Sequence, residues 1–250
     1  MTLPPLAIAV VAMAVLGSSF ISGIFGMAGG MILLGVLLVF MDVAPAMVLS
    51  GIIQMASNGW RSALWLRSVD WGIAWRFLAG STVSFLLMRS LALLPSKATI
   101  YLTLGLLPFL AELTPKRVSL DITRPRVAYA AGALIIVLQL LAGGAGHILD
   151  VFFQRSRLDR KAIVATKAVT QVLGQVYRIL YFGTLTATFD VTIASWQYLA
   201  AIGLSLVGTW LAAAVLTRMT EAGFRVWSRR ITVGVCVTYL ARWLWLLAVP

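Results

Sequence analysis

Apolar runs close to twenty residues long recur along nearly the whole chain, and nothing else in the sequence restricts the fold as much. They cover residues 6–25, 46–66, 71–91, 96–113, 127–141, 161–182, 192–216 and 231–249. About 20 helical residues span the ~30 Å hydrocarbon core of a bilayer. The runs are continuous where barrel strands would alternate, so the expected spans are helices. Only 11% of residues are charged and 61% are apolar, against about 25% charged in soluble domains. The expected fold class is therefore an all-α integral membrane protein, multi-pass, with residues 1–250 as a single transmembrane domain. The first run lacks a basic n-region and leads into further membrane sequence, so it reads as a first helix and not a cleaved signal.

One of these runs does not belong against lipid. Residues 161–182 read KAIVATKAVTQVLGQVYRILYF and carry Lys167, Gln171, Gln175 and Arg178. At roughly 100° per residue these four fall within a sector of about 80° on one helix face. A Lys or Arg near mid-membrane costs about 2.5–3.5 kcal/mol on insertion scales, so such residues point to a protein interior or a wet site. The expectation is that the rest of the chain houses this stripe.

The order of segments repeats. Displaced by 117 positions, Gly26, Ala28, Gly29, Asp42, Gln54 and Arg61 fall on Gly143, Ala145, Gly146, Asp159, Gln171 and Arg178, each identical. Ser50 and Asn58 fall on Lys167 and Gln175, giving residues 46–66 a matching stripe of Ser50, Gln54, Asn58 and Arg61. The two glycine clusters, Gly26, Gly29 and Gly30 in one half and Gly143, Gly144 and Gly146 in the other, are each followed by an apolar piece too short to cross a bilayer. Glycine lets a helix stop in mid-membrane and expose backbone amides, whose positive helix ends bind anions. Broken helices at corresponding places in two halves mark a transporter's substrate site. The plainer reading is close helix packing through small residues.

Orientation follows from basic loops. Segments 114–125, 155–161 and 218–230 are rich in Lys and Arg and are expected to be cytoplasmic, whereas 42–45 and 183–191 hold none and are expected outside. Two basic loops flanking residues 126–154 require that segment to enter and return. Two inverted repeats are thus expected, about 6–113 and 126–249, joined by the loop 114–125. Each is a glycine-broken helix pair, re-entrant or fully crossing, followed by three transmembrane helices. Residues 218–230 read as a separate amphipathic stretch lying at the interface.

Each candidate has an alternative. Arg61 and Arg178 could snorkel toward an interface. The amides of Gln54, Asn58, Gln171 and Gln175 could simply bond the two central helices together. His147, the only histidine, could titrate or cap, but alone makes no metal site. Asp150 and Asp159 are the nearest acids to Lys167, and a cation lacking a carboxylate suits an anionic ligand. The lone Cys236 excludes an internal disulfide. No metal and no cofactor is expected. The net charge of +12 sits between apolar runs, where it anchors and orients a membrane protein, so nucleic acid is not an expected partner.

The stretch Phe20–Gly30, FISGIFGMAGG, resembles the FxSGxxGxGGG signature that opens members of the TauE/SafE (sulfite exporter) family, and the stretch 58–71, NGWRSALWLRSVDW, is similar to that family's helix ending in a basic turn and Val-Asp-Trp. The two-half organisation matches across nearly the whole chain. Departures are Ala28 at a usual glycine, the second break AGGAGH, and Thr166-Lys167 in place of the family's usual Thr-Ser pair. The resemblance implies a secondary transporter exporting sulfite, sulfoacetate or a related sulfonate across the bacterial inner membrane, by alternating access and without enzymatic activity. The expected ligands are the amides at Gly26, Gly29, Gly30, Gly143, Gly144 and Gly146, with Lys167, Arg178, Arg61, Ser50, Thr166, His147 and the Gln and Asn side chains. The expected partners are a small anionic organosulfur substrate and membrane lipids, with a homodimer left open. The alternatives are a membrane-embedded enzyme acting on a lipid phosphate, an anion channel, or a scaffold with a lipid pocket.

Overall fold

The computed structural model describes residues 4–26, 28–113, 120–154, 156–185, 195–216 and 218–248. Among them are ten α-helices and no strand. The first five are α1 (Pro5–Phe25), α2 (Ala28–Phe40), α3 (Val43–Leu64), α4 (Trp71–Leu91) and α5 (Lys97–Leu113). The second five are α6 (Pro125–Ala142), α7 (Gly146–Gln154), α8 (Arg160–Leu185), α9 (Ser195–Leu216) and α10 (Glu221–Ala248). Five of them, α1, α4, α6, α9 and α10, are both long and apolar enough to cross a membrane. The 13 residues of α2 and the 9 of α7 reach only about 20 and 14 Å at ~1.5 Å per residue, less than the ~30 Å core.

Both glycine breaks use a positive φ, Gly143 in the left-handed helical region and Gly26 at a different ψ. Gly26 caps α1 at φ +88° and Gly143 caps α6 at φ +77°, a left-sided conformation that only glycine adopts cheaply. In each case the capping amide still donates back one turn, from Gly26 to Ser22 O at 2.8 Å and from Gly143 to Gln139 O at 2.9 Å. The chain then turns into α2 or α7 within a few residues.

Helices α3 and α8, the carriers of the polar stripes, cross each other in extensive contact, and each also packs on one long apolar helix, α9 or α4. They run antiparallel: Lys161 at the start of α8 sits 5.5 Å over the Trp65 ring just past the end of α3, while Ile179 near the other end of α8 touches Gly51 of α3. The remaining large contacts are α1 with α9, α4 with α6, α1 with α2, and α5 with α10. Inside a bilayer apolar burial drives no association, so helices gain by close approach. Gly80 of α4 and Gly132 of α6 show this, since a Cβ on either would collide with a backbone carbonyl of the other helix. The broad exposed surface of large apolar side chains, among them Trp75, Leu86, Leu87, Leu199, Trp210 and Leu244, suits contact with lipid chains.

Two local features differ from the sequence reading or sharpen it. Residues 218–230 are not a separate interfacial helix; from Glu221 they are the first turns of the 28-residue α10. Neither Pro nor Gly lies at the junction of Arg230 and Ile231, so nothing ends the helix there. At ~1.5 Å per residue α10 is about 42 Å long, enough to carry its basic turns beyond the hydrocarbon. The Val-Asp-Trp turn is an N-cap, in which Asp70 Oδ1 accepts from Ile73 N at 3.0 Å and Asp70 N donates to Thr166 Oγ1 of α8 at 2.9 Å. Lys116, Arg117, Arg155 and most of the loop 183–191 lie outside the described residues.

Candidate functional site

The chain puts unusually many carboxamides into its interior. Gln54 and Asn58 project from α3, Gln171 and Gln175 from α8, and Gln139 from the last turns of α6. Together with Thr170 they line a cavity of about 50 Å³ between the two glycine breaks. That is room for a few waters or a small oxyanion. Gly26 and Gly30 form one wall, and Gly143, Gly144, Gly146 and His147 form another. The described lining holds neither a carboxylate nor any Lys or Arg.

The backbone supplies the positive potential. The cavity meets the first turn of α7 at Gly146 and His147, whose amides have no acceptor within the helix. Such a terminus carries roughly half a positive charge. Each carboxamide adds two N–H donors. Gln175 Oε1 is buried without a partner among the described residues, and His147 Nε2 lies 3.3 Å from Thr232 Oγ1 of α10. Gln54 packs so closely on the first turn of α2 that a Cβ at Gly30 would collide with its amide nitrogen. Several donors and, among the described residues, no carboxylate face this cavity, a lining whose chemistry can satisfy a small anion.

The structure thus brings ten of the expected residues to one cavity: Gly26, Gly30, Gln54, Asn58, Gly143, Gly144, Gly146, His147, Gln171 and Gln175. The other six stand apart from it. Gly29 packs α2 onto α1, where a Cβ would collide with Ser18 O. Ser50 is buried and bonds back to Met47 O at 3.3 Å. Thr166 holds the Asp70 amide. Arg61 donates to Asn58 Oδ1 and lies in a recess beside the cavity.

The two remaining cations are both engaged. Arg178 is 1% exposed and donates through Nη1 to the carbonyl of Gly143. A cation on the last carbonyls of α6 satisfies the helix C-terminus electrostatically. The equivalent carbonyl of Gly26 accepts instead from the Ser22 hydroxyl at 2.7 Å. Lys167 pairs with Asp150 of α7, which corrects the expectation of a cation without a carboxylate. Of the two nearest acids in the sequence, Asp150 and Asp159, it is Asp150 that α7 brings to Lys167 past the second break.

Gln139 and Thr170 are the lining residues that sequence reasoning missed. Gln139 had a signal: it is the one carboxamide in an otherwise apolar run, four residues before a break glycine, and displaced by 117 positions it matches Ser22. Pro108 also lines the cavity, from inside α5. Its missing N–H frees the Leu104 carbonyl, to which the Cys236 thiol is directed at 4.0 Å.

A family described as "Sulfite exporter TauE/SafE" matches residues 10–239. No curated protein and no solved structure matches the chain.

Proposed function

This chain belongs to the TauE/SafE sulfite exporter family, a membrane transporter of the exporter type for sulfur anions, and on that premise we propose that the carboxamide-lined cavity is where it holds its anion. The observation that carries this reading is the pairing of two glycine breaks around a cavity rich in N–H donors and free of carboxylate. Sulfite or a small sulfonate fits that lining, its oxygens accepting from Gln54, Asn58, Gln139, Gln171, Gln175 and the first amides of α7. The anion's charge is met by the helix terminus and neutral dipoles, while Lys167 and Arg178 act from outside the cavity.

Movement proceeds by alternating access between two inverted repeats, α1–α5 and α6–α10. Support comes from the pairing of helices, since α1 with α9 and α6 with α4 are the same combination with the halves exchanged, while α3–α8 and α5–α10 pair like with like. The matching positive φ values at Gly26 and Gly143 support it as well. The basic residues Lys161, Arg229 and Arg230 at one end of the bundle support a cytoplasmic orientation of that end in a bacterial inner membrane, by the positive-inside rule. An inside-negative potential then favours outward anion movement by about 2.3 kcal/mol per charge per 100 mV.

Proteoliposomes loaded with labelled sulfite, sulfoacetate or taurine test the reading. Protein-dependent efflux of at least one is expected, and efflux no faster than from empty liposomes for all three would overturn it.

A further inference from the structure

Lys167 stands where three hollows meet. Two recesses of about 490 and 420 Å³ flank the central cavity, and Lys167 lines both. The larger shares His147 with the central cavity, and the smaller shares Gly26 and Gln171 with it. A Cβ on Gly26 would lie 3.9 Å from Lys167 Nζ, so the ammonium sits against the first break. Its one carboxylate, Asp150, comes from α7 beyond the second break. Between the two recesses the rings of Phe25 and Phe224 approach to 5.5 Å.

The pair is partly wet, with side chains 17% and 23% exposed for Lys167 and Asp150. Solvent reaching both side chains screens the pair, so another anion can compete for its cation. An anion moving between the larger recess and the carboxamides passes the ammonium, and Asp150 occupies the place it would take. From this geometry we propose that Lys167 is a separate antechamber site for an oxyanion of the sulfite class, and that Asp150 is its built-in competitor, displaced when the anion arrives. The displaced carboxylate turns into the recess, where His147, Thr232 and Arg229 offer donors. Asp150 therefore sets how weakly the empty protein holds anions on this side and prevents Lys167 from trapping them. The inference rests on the anion-transport reading, and it adds a second site and a residue that tunes affinity.

The test is calorimetric titration of sulfite into the purified full-length chain in detergent, for wild type, Asp150→Asn, Lys167→Gln and the double variant. Asp150→Asn is expected to tighten sulfite binding about fivefold to tenfold, the factor matching an ion pair of ~1 kcal/mol. Lys167→Gln is expected to weaken it, and Asp150→Asn is expected to change nothing further in the Lys167→Gln background. That dependence on Lys167 separates competition from a general loss of negative field or a structural role. Unchanged or weaker binding by Asp150→Asn, or the same gain with Lys167 absent, overturns the proposal while leaving the central anion site intact. A wild type that gives no sulfite heat overturns both. Asp150→Ser is the second neutral variant; if neither neutral variant folds, the pair is structural and the proposal falls.

Discussion

At the scale of single residues, the two kinds of polar group in the core do different work. Gln139 reaches the cavity with a neutral carboxamide, so Gln139→Leu, close in size, removes donors without opening a void. A hydrogen bond to a charged group contributes about 1.5–3 kcal/mol, so sulfite binding should weaken roughly tenfold to a hundredfold. Titration of sulfite checks this, with a melting temperature that stays near the wild-type value. Thr166 lies away from the cavity and holds the cap of α4. Thr166→Val should lower stability by about 1 kcal/mol through the freed amide, visible in thermal unfolding, while sulfite affinity stays within twofold. Lys167 is marked by the polar stripe, Thr166 only by its place in the family's usual Thr-Ser pair. On a helix they point about 100° apart, and only packing reveals which groups each one meets.

At the scale of elements, the glycine breaks carry the architecture. A side chain at Gly143 meets both a positive φ and a collision with Leu34, with Met47 Sδ 2.8 Å away. Left-handed backbone alone costs a non-glycine residue about 1–2 kcal/mol, so Gly143→Ala should lower the melting temperature clearly. Gly174→Ala is the control, since its Cβ would meet nothing nearer than 3.7 Å; its stability should hold. Differential scanning fluorimetry of both variants in detergent decides the matter. These breaks were legible because glycine has few reasons to cluster at the end of an apolar run and recur at the same place in the other half. The polar stripes were legible from their period on the helix. The continuity of α10 was not, because a basic amphipathic stretch ahead of an apolar run has the composition of an interfacial helix, and only the lack of a breaker joins the two. For Lys167 the sequence offered Asp150 and Asp159 as the nearest acids, and the structure pairs it with Asp150, a choice that depends on the angle at which α7 leaves the second break.

At the scale of the whole molecule, the all-helical bundle encloses a cavity lined by neutral donors, and on the proposed reading these hold the anion while the charges stand beside it. Arg178 braces the end of α6, and Lys167 stands in front of the cavity with its own counterion. Such a site moves net negative charge with its anion, and that has a measurable result. In proteoliposomes holding labelled sulfite, an inside-negative potential set with potassium and valinomycin should speed efflux, given the ~2.3 kcal/mol per charge per 100 mV available. Efflux indifferent to the potential would mean that a cation travels with the anion. The family's name leaves the central seat of the anion open, and apart from the antechamber at Lys167 two places compete for it: the carboxamide cavity between the breaks and the buried guanidinium of Arg178. Selenite has the shape and charge of sulfite and scatters X-rays anomalously, so a crystal soaked in selenite separates them. An anion seated among the carboxamides gives an anomalous peak between Gly30 and the first turn of α7, within hydrogen-bond distance of the Gln139 and Gln175 side chains; a peak at Arg178 with none in the cavity would contradict that seat.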